Sequence, residues 1–167
     1  MTAPATAQTF EPRSRPPFRE RVMALAGRGG YREPGMGGGD RPTVPPDHMI
    51  AAALSFGRSD PGDVGPDVAL AMVTGRIGEA QAVRVLRWLG GVLAGDRTAS
   101  VRRLRPFTGH VALYALNAVV RGWQVPPAPE GVAAKDWGEA VLFACLLLEQ
   151  SAEDALALAA RRWRAES

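Results

Sequence analysis

From Pro45 to the C-terminus, apolar residues recur at the spacing of α-helices, and glycine or proline separates one run from the next. No segment alternates apolar and polar residues as a half-buried strand does. Helices are predicted over 47–56, 66–74, 79–94 and 109–121, with a short helical turn over 100–104. A last unit starting at Asp136 is either two helices or one helix bent at Gln150 and Ser151. We therefore predict an all-α domain of about five to seven helices.

The residues at the predicted helix ends support these boundaries. Asp47 is a good N-cap for the first helix, and Pro66 fits the first position of the second. Gly57, Gly75 and Gly122 follow apolar runs, so each is predicted to end a helix.

Two of the helices are assigned core-facing residues. The helix over 109–121 is apolar on nearly every side, so it is predicted to be the central helix. In the helix over 79–94, the core face is predicted to consist of Val83, Leu86, Leu89 and Leu93.

Residues 1–46 have the composition of a disordered tail rich in proline, glycine and arginine. One short helix, over about 18–26, is predicted inside this tail, with Val22 and Leu25 as its apolar residues. Residues 47–167 are predicted to form a single helical domain. Its parts are a basic, DNA-facing portion (47–122), a proline-rich linker (123–134) and a C-terminal helical unit (135–167).

Composition limits the classes of function. The hydrophobic fraction of 46% and the charged fraction of 22% are typical of a soluble globular protein. Cys145 is the only cysteine, so no internal disulfide can form, and a reducing cytoplasm is the expected location. The apolar runs are far shorter than the ~20 residues of a membrane span. With two histidines, no cysteine pair and no catalytic motif, the chain is predicted to hold no metal or cofactor and not to be an enzyme.

Positive charge is concentrated in the middle of the chain. The net charge is +3 at pH 7, and Lys135 is the only lysine among the 20 basic residues. Residues 47–75 contain four acidic residues and a single arginine. Residues 76–105 contain seven arginines against the acids Glu79 and Asp96. Because a guanidinium can bind phosphate through two parallel hydrogen bonds, this distribution indicates a basic face suited to nucleic acid.

Two helices joined by a glycine-containing turn, over residues 68–89, have the outline of a helix-turn-helix. In that motif the second helix enters the major groove, so Gln81 and Arg84 would read bases, with Arg76 on the approaching turn. The arginines within 97–105 are predicted to hold phosphates. The candidate DNA-binding residues are therefore Arg76, Gln81, Arg84, Arg87, Arg97, Arg102, Arg103 and Arg105.

The order of parts over 47–165 also resembles a known family. Its features are the motif D-x-M-x-A-A beginning at Asp47, the long helix AQAVRVLRWL, the basic connection, and the apolar helix VALYALNAVVRGW. This pattern is similar to the Q-type late-gene antitermination proteins of lambda-like phages. The resemblance implies a transcription regulator that binds DNA near a promoter and loads onto RNA polymerase, with nascent RNA as a further candidate partner. The lambda protein has a cysteine-rich zinc-binding insertion where this chain has QVPPAPEG.

Other interpretations of the basic middle stay open. The segment 97–105 could be a solvated loop, or it could dock on an acidic protein surface such as that of a polymerase. In the second case the chain would be an interaction module, an inhibitor or adaptor that binds no nucleic acid. Trp88, Trp123 or Trp163 would then anchor the partner.

Overall fold

The computed structural model describes residues 17–28 and 47–166, and over these residues the chain is entirely helical, without a β-strand. This confirms the predicted all-α class. The elements are α1 (Phe18–Arg28), α2 (Asp47–Ser55), α3 (Gly65–Thr74), α4 (Glu79–Gly95), α5 (Ala99–Arg103), a 3-10 turn (Arg105–Phe107), α6 (Thr108–Arg121) and α7 (Ala134–Glu166).

Helix α3 lies at the centre of the domain, packed mainly against α7 and also against α2 and α6. Seven of its ten residues are buried, including the unbroken run 65–69. The prediction that the helix over 109–121 is central was wrong, since α6 buries only one side and leaves Leu113 45% exposed. Small side chains explain the difference, because the glycine and alanines of α3 let neighbouring helices approach on several sides.

Two glycines allow the chain to contact the backbone of α7 directly. A Cβ at Gly57 would lie 2.1 Å from the carbonyl oxygen of Ala155, and one at Gly65 would lie 2.5 Å from that of Ser151. Gly75 and Gly122 do end their helices in the left-handed conformation, with φ of 69° and 66°. Gly57 is not in that conformation. Its predicted role as a helix stop is therefore corrected to one of close packing.

The predicted core face of α4 is confirmed at Leu89 and Leu93, is half-buried against the core at Leu86, and is wrong at Val83. Val85, Leu89 and Leu93 are buried, whereas Val83 is 47% exposed. Apolar residues occur on two sides of this helix, so the spacing alone allowed two stripes. Packing against α6, the main neighbour of α4, determines which of the two stripes is buried.

Helix α1 confirms the short helix predicted over about 18–26, and it belongs to the folded unit. Its residues Val22, Leu25 and Ala26 are buried in the common core, and Arg21 forms an ion pair with Glu153 of α7. The domain boundary at 47 is corrected accordingly. The rest of the predicted tail, 1–16 and 29–46, lies outside the described residues.

The C-terminal unit is a single helix, which resolves the two possibilities left by the sequence. Its first turn does not use Asp136 as a cap, because α7 already begins at Ala134. The proline-rich connection packs against it, since Trp137 Nε1 donates a hydrogen bond of 2.9 Å to the carbonyl of Pro126. Within the described ranges, no helix combines the length and the apolar character needed to cross a membrane.

Candidate nucleic-acid interface

The predicted DNA-binding residues lie at the two ends of α4, except Arg87, which lies in its middle. Arg76, Gln81 and Arg84 lie on the turn before α4 and on its first turns, and we call them the turn group. The stretch 97–105, which we call the arginine segment, follows its C-terminus. Since α4 rises 1.5 Å per residue, its 17 residues span about 25 Å, and Arg84, the last member of the turn group, lies about 20 Å before Arg97.

Every member of the turn group has a partner within the chain. Gln81 Oε1 accepts a hydrogen bond of 3.1 Å from the backbone N–H of Gly78, which caps α4. Arg84 Nη2 donates to Asp67 Oδ2 at 2.9 Å. Arg76 forms an ion pair with Asp47. Contact with bases would therefore compete with intramolecular bonds at each position.

Asp67 makes Arg84 a structural residue as well as a candidate DNA contact. The Asp67 side chain is only 7% exposed, and its second oxygen lies 3.4 Å from Arg58 Nη2. A carboxylate so far removed from water requires charged or hydrogen-bonding partners. Moving Arg84 onto a base would leave Asp67 with Arg58 alone. The structure therefore ties Arg84 to the stability of α3 and α4.

The arginine segment is a short helix followed by a 3-10 turn. Val101 and Leu104 are 2% and 3% exposed, so they fix the segment on the domain. Arg102 and Arg105 alternate with them and are exposed, as is Arg97 just before α5. The apolar pair at spacing i, i+3 thus holds three guanidinium groups outward on a supported element.

Arg103 differs from its neighbours because it is bound to α7. Its Nη1 lies 3.2 Å from both carboxylate oxygens of Asp136, whose side chain is 12% exposed. The Ser100 hydroxyl donates to the carboxylate of Glu139 one turn further along α7. Asp136 and Glu139, two acids at the start of α7, therefore hold α5 against α7.

Arg97, Arg102 and Arg105 form no ion pair or side-chain hydrogen bond within the part of the chain that the structure describes. The nearest acid in sequence is Asp96, which accepts a 2.7 Å hydrogen bond from the N–H of Thr98. Hydrogen bonds from the side chain and backbone of Thr98 lower the pKa of Asp96, so it carries a full negative charge at neutral pH. Over 96–105 the sequence thus has three available arginines and one carboxylate, while Asp136 and Glu139 of α7 bind Arg103 and Ser100.

Arg87 completes the predicted set. It is exposed on α4 and has no ion-pair partner among the described residues. Exposed arginines without an ion pair also occur elsewhere in the described ranges, at Arg19, Arg161 and Arg164. Arg162 is likewise exposed and without an ion pair, but it donates hydrogen bonds to the backbone carbonyls of Phe56 and Arg58. The arginine segment has three exposed arginines within nine positions that have neither an ion pair nor a side-chain hydrogen bond within the described residues.

The sequence did not single out the pair formed by Arg121 and Trp123. The Arg121 guanidinium lies 5.2 Å from the centre of the Trp123 ring, and Trp123 is 57% exposed. Of the three tryptophans named as possible anchors, Trp88 and Trp163 are partly buried, and Trp163 packs edge-on against Phe56 at 5.3 Å. The sequence Arg-Gly-Trp could have indicated this pair, because Gly122 ends α6 and lies between the two large side chains.

Other chemistry finds little support in the described ranges. They contain no group of three or more histidine, cysteine, aspartate or glutamate side chains that could hold a metal ion. Burial, together with the charge of Glu149, raises the pKa of the Cys145 thiol, which favours its unreactive form. Comparisons with protein-family models, with curated protein sequences and with solved structures found no match.

Proposed function

We propose that this protein is a cytoplasmic transcription regulator of phage or prophage type. In this proposal it binds DNA through the arginine segment, acts with RNA polymerase, and serves as an antitermination factor for a late operon. The observation that carries the proposal is the outward placement of Arg97, Arg102 and Arg105 without carboxylate partners. The resemblance of the chain to Q-type antitermination proteins supplies the polymerase partner and the late operon.

The physical role of the three arginines is to hold the DNA backbone. Each guanidinium that neutralises a phosphate releases condensed counterions, so affinity for duplex DNA falls with salt. Such contacts fix position and orientation without reading sequence. Because α5 and the 3-10 turn are fixed by Val101 and Leu104, the side chains start from a supported backbone.

The turn group contributes unequally to this proposal. The ion pair of Arg76 with Asp47 is exposed, with side-chain exposures of 77% and 56%. An exposed pair stabilises a fold by about 0–1 kcal/mol, so Arg76 can exchange its carboxylate for a phosphate at little cost. Gln81 and Arg84 would have to give up a helix cap and a buried carboxylate, so base reading by them is the weaker part of the proposal.

A crosslinking map of the tagged protein across its host genome, with polymerase mapped in parallel, tests the proposed function. A signal that starts at one promoter and spreads with polymerase along a long operon supports antitermination. A single sharp promoter peak would reduce the proposal to an ordinary DNA-bound regulator, and no enrichment would refute it. The variant with Arg97, Arg102 and Arg105 all changed to alanine should lose the promoter signal at equal expression.

A second function, that of an interaction module without nucleic acid, is favoured by Trp123. This side chain is 57% exposed beside Arg121, and Val125 is 40% exposed two residues further on. Tryptophan and arginine are the residues most often found at the energetic centre of protein interfaces. Heparin should then retain the protein no more strongly than a cation exchanger of equal charge density, whereas a DNA-binding protein is expected to prefer heparin.

A further inference from the structure

Helix α7 carries an outward stripe of exposed residues that no other element of the described chain covers. Leu142 and Leu146 are 60% and 53% exposed, the two largest values among the large hydrophobic helix residues of the described ranges. Exposed charged residues flank the two leucines. From Lys135 through Gly138 and the leucines to Glu149, successive residues are three, four, four and three positions apart, which keeps all five on one helix face. We call this set the α7 stripe: Lys135, Gly138, Leu142, Leu146 and Glu149.

The charges of the stripe are arranged symmetrically about Leu142. Lys135 is seven residues before it and Glu149 is seven residues after it, about 10 Å away on either side. If two α7 helices pack antiparallel around a two-fold axis at Leu142, Lys135 of each copy faces Glu149 of the other. The same axis sets Leu146 opposite Gly138, where no atom lies within 4 Å of an added Cβ.

Other arrangements of two such helices bring like charges together. A parallel pair would face Lys135 with Lys135 and Glu149 with Glu149. An antiparallel pair shifted to set Leu142 opposite Leu146 would face Glu139 with Glu149 in both halves. Of these three arrangements, only the register centred on Leu142 combines two opposite-charge pairs with apolar contact between them.

We propose that the α7 stripe is a self-association surface, through which two copies of this protein form an antiparallel, two-fold symmetric dimer. The occupant is a second copy because the stripe is complementary to itself in charge and shape. Within the described residues, Lys135 forms one ion pair, an exposed contact of 3.9 Å with Glu139 of the same helix, which leaves it able to meet Glu149 of the second copy. This proposal does not depend on nucleic-acid binding, and it stands or fails separately from the proposed function.

Sedimentation velocity on the full-length protein, from about 1 to about 500 μM, is the first test. The protein should pass reversibly from monomer to dimer. Lys135→Glu and Glu149→Lys each create two like-charge contacts, so each should raise the dimer dissociation constant by at least about fivefold. The double variant Lys135→Glu/Glu149→Lys restores opposite charges and should return to within about twofold of wild type.

Arg161→Glu is the matched control, because it changes the net charge by the same amount at an exposed position of α7 away from the stripe. It should leave the dimer unchanged. Lys135 and Glu149 are exposed, and circular dichroism of each variant should match wild type. A protein that is monomeric over the whole range overturns the proposal. A dimer that ignores the single changes, or that the double change fails to restore, overturns it as well.

Cysteine crosslinking tests the register independently. Leu142→Cys places the new cysteine next to its own copy at the axis, within the ~7 Å between Cα atoms that a disulfide needs. Lys135→Cys places the two cysteines about 20 Å apart along the helices. Oxidation should therefore crosslink the first variant and not the second, with wild type as the baseline for Cys145. Crosslinking of both variants would show a parallel pair and contradict the proposed arrangement.

Discussion

Replacing Gly57 with alanine is expected to destabilise the fold far more than one added methyl group usually does. The new Cβ would lie 2.1 Å from the carbonyl oxygen of Ala155 and 2.8 Å from its carbonyl carbon. Both are backbone atoms of α7, so no side-chain rotation relieves the clash. Ordinary contact begins near 3.4 Å, which means that the end of α2 and α7 must separate by roughly 1 Å.

The magnitude follows from the cost of overpacking. Inserting a methyl group into a well-packed interior costs about 1–3 kcal/mol, and the upper end applies where backbone must move. We therefore expect Gly57→Ala to lower the free energy of unfolding by about 3 kcal/mol. For a domain of this size that corresponds to a fall in Tm of about 6–12 °C.

Gly91→Ala is the matched control. Gly91 is exposed within α4, and no atom lies within 4 Å of its added Cβ. Alanine should stabilise this helix by about 0.5–1 kcal/mol, because glycine loses more backbone entropy on folding. Urea unfolding followed by far-UV circular dichroism measures both changes. A Gly57→Ala protein within about 0.5 kcal/mol of wild type would refute the close packing of α2 on α7.

Three further expectations concern polar and titratable residues. Burial alone would raise the pKa of Asp63, but hydrogen bonds from Ser59 and Gly65 outweigh it and lower the pKa below the ordinary 3.8. The ionised carboxylate thus stabilises the fold fully above pH 3.8, and this stabilisation is lost as pH falls through the lowered pKa. The difference in unfolding free energy between wild type and Asp63→Asn should therefore shrink over that range. A difference that stays constant with pH in urea unfolding would contradict this. Asp67→Asn weakens the acceptor for Arg58 and Arg84 and should lower the free energy of unfolding by about 1–3 kcal/mol. An unchanged urea midpoint would show that these two ion pairs do not stabilise the fold. Because its pKa is raised, the Cys145 thiol should react with iodoacetamide more slowly in the native protein than in urea, as mass spectrometry would measure, and equal rates would contradict its burial.

The positions of the helices could be predicted from the sequence because helix ends are determined by local residues. Gly75 and Gly122 end α3 and α6 through their own backbone conformations, and the boundaries of α2 to α6 lie within a few residues of those predicted. Which side of each helix is buried depends on distant segments. Val83 and Val85 looked alike in sequence, and contact with α6 decides between them.

The candidate site shows the same division between local and distant information. The composition of the arginine segment is visible in the sequence, whereas the partners of its residues are not. Arg103 meets Asp136 across 33 positions and Arg84 meets Asp67 across 17, so a sequence pattern cannot tell these arginines from Arg102 or Arg105. The structure separates the predicted arginines that have an ion pair from those that have none within the described residues. The paired ones are Arg76, Arg84 and Arg103, and the others are Arg87, Arg97, Arg102 and Arg105.

The salt dependence of binding to a short DNA duplex tests the central claim most directly. Fluorescence anisotropy would compare wild type, the variant with Arg97, Arg102 and Arg105 changed to alanine, and a control. The control changes three other exposed arginines and removes the same charge: Arg19, Arg161 and Arg164. If the arginine segment holds phosphates, its variant should flatten the slope of log affinity against log salt by about 2.7, with little change in the control. No binding by wild type at low salt, or equal slopes for the two variants, would contradict the account.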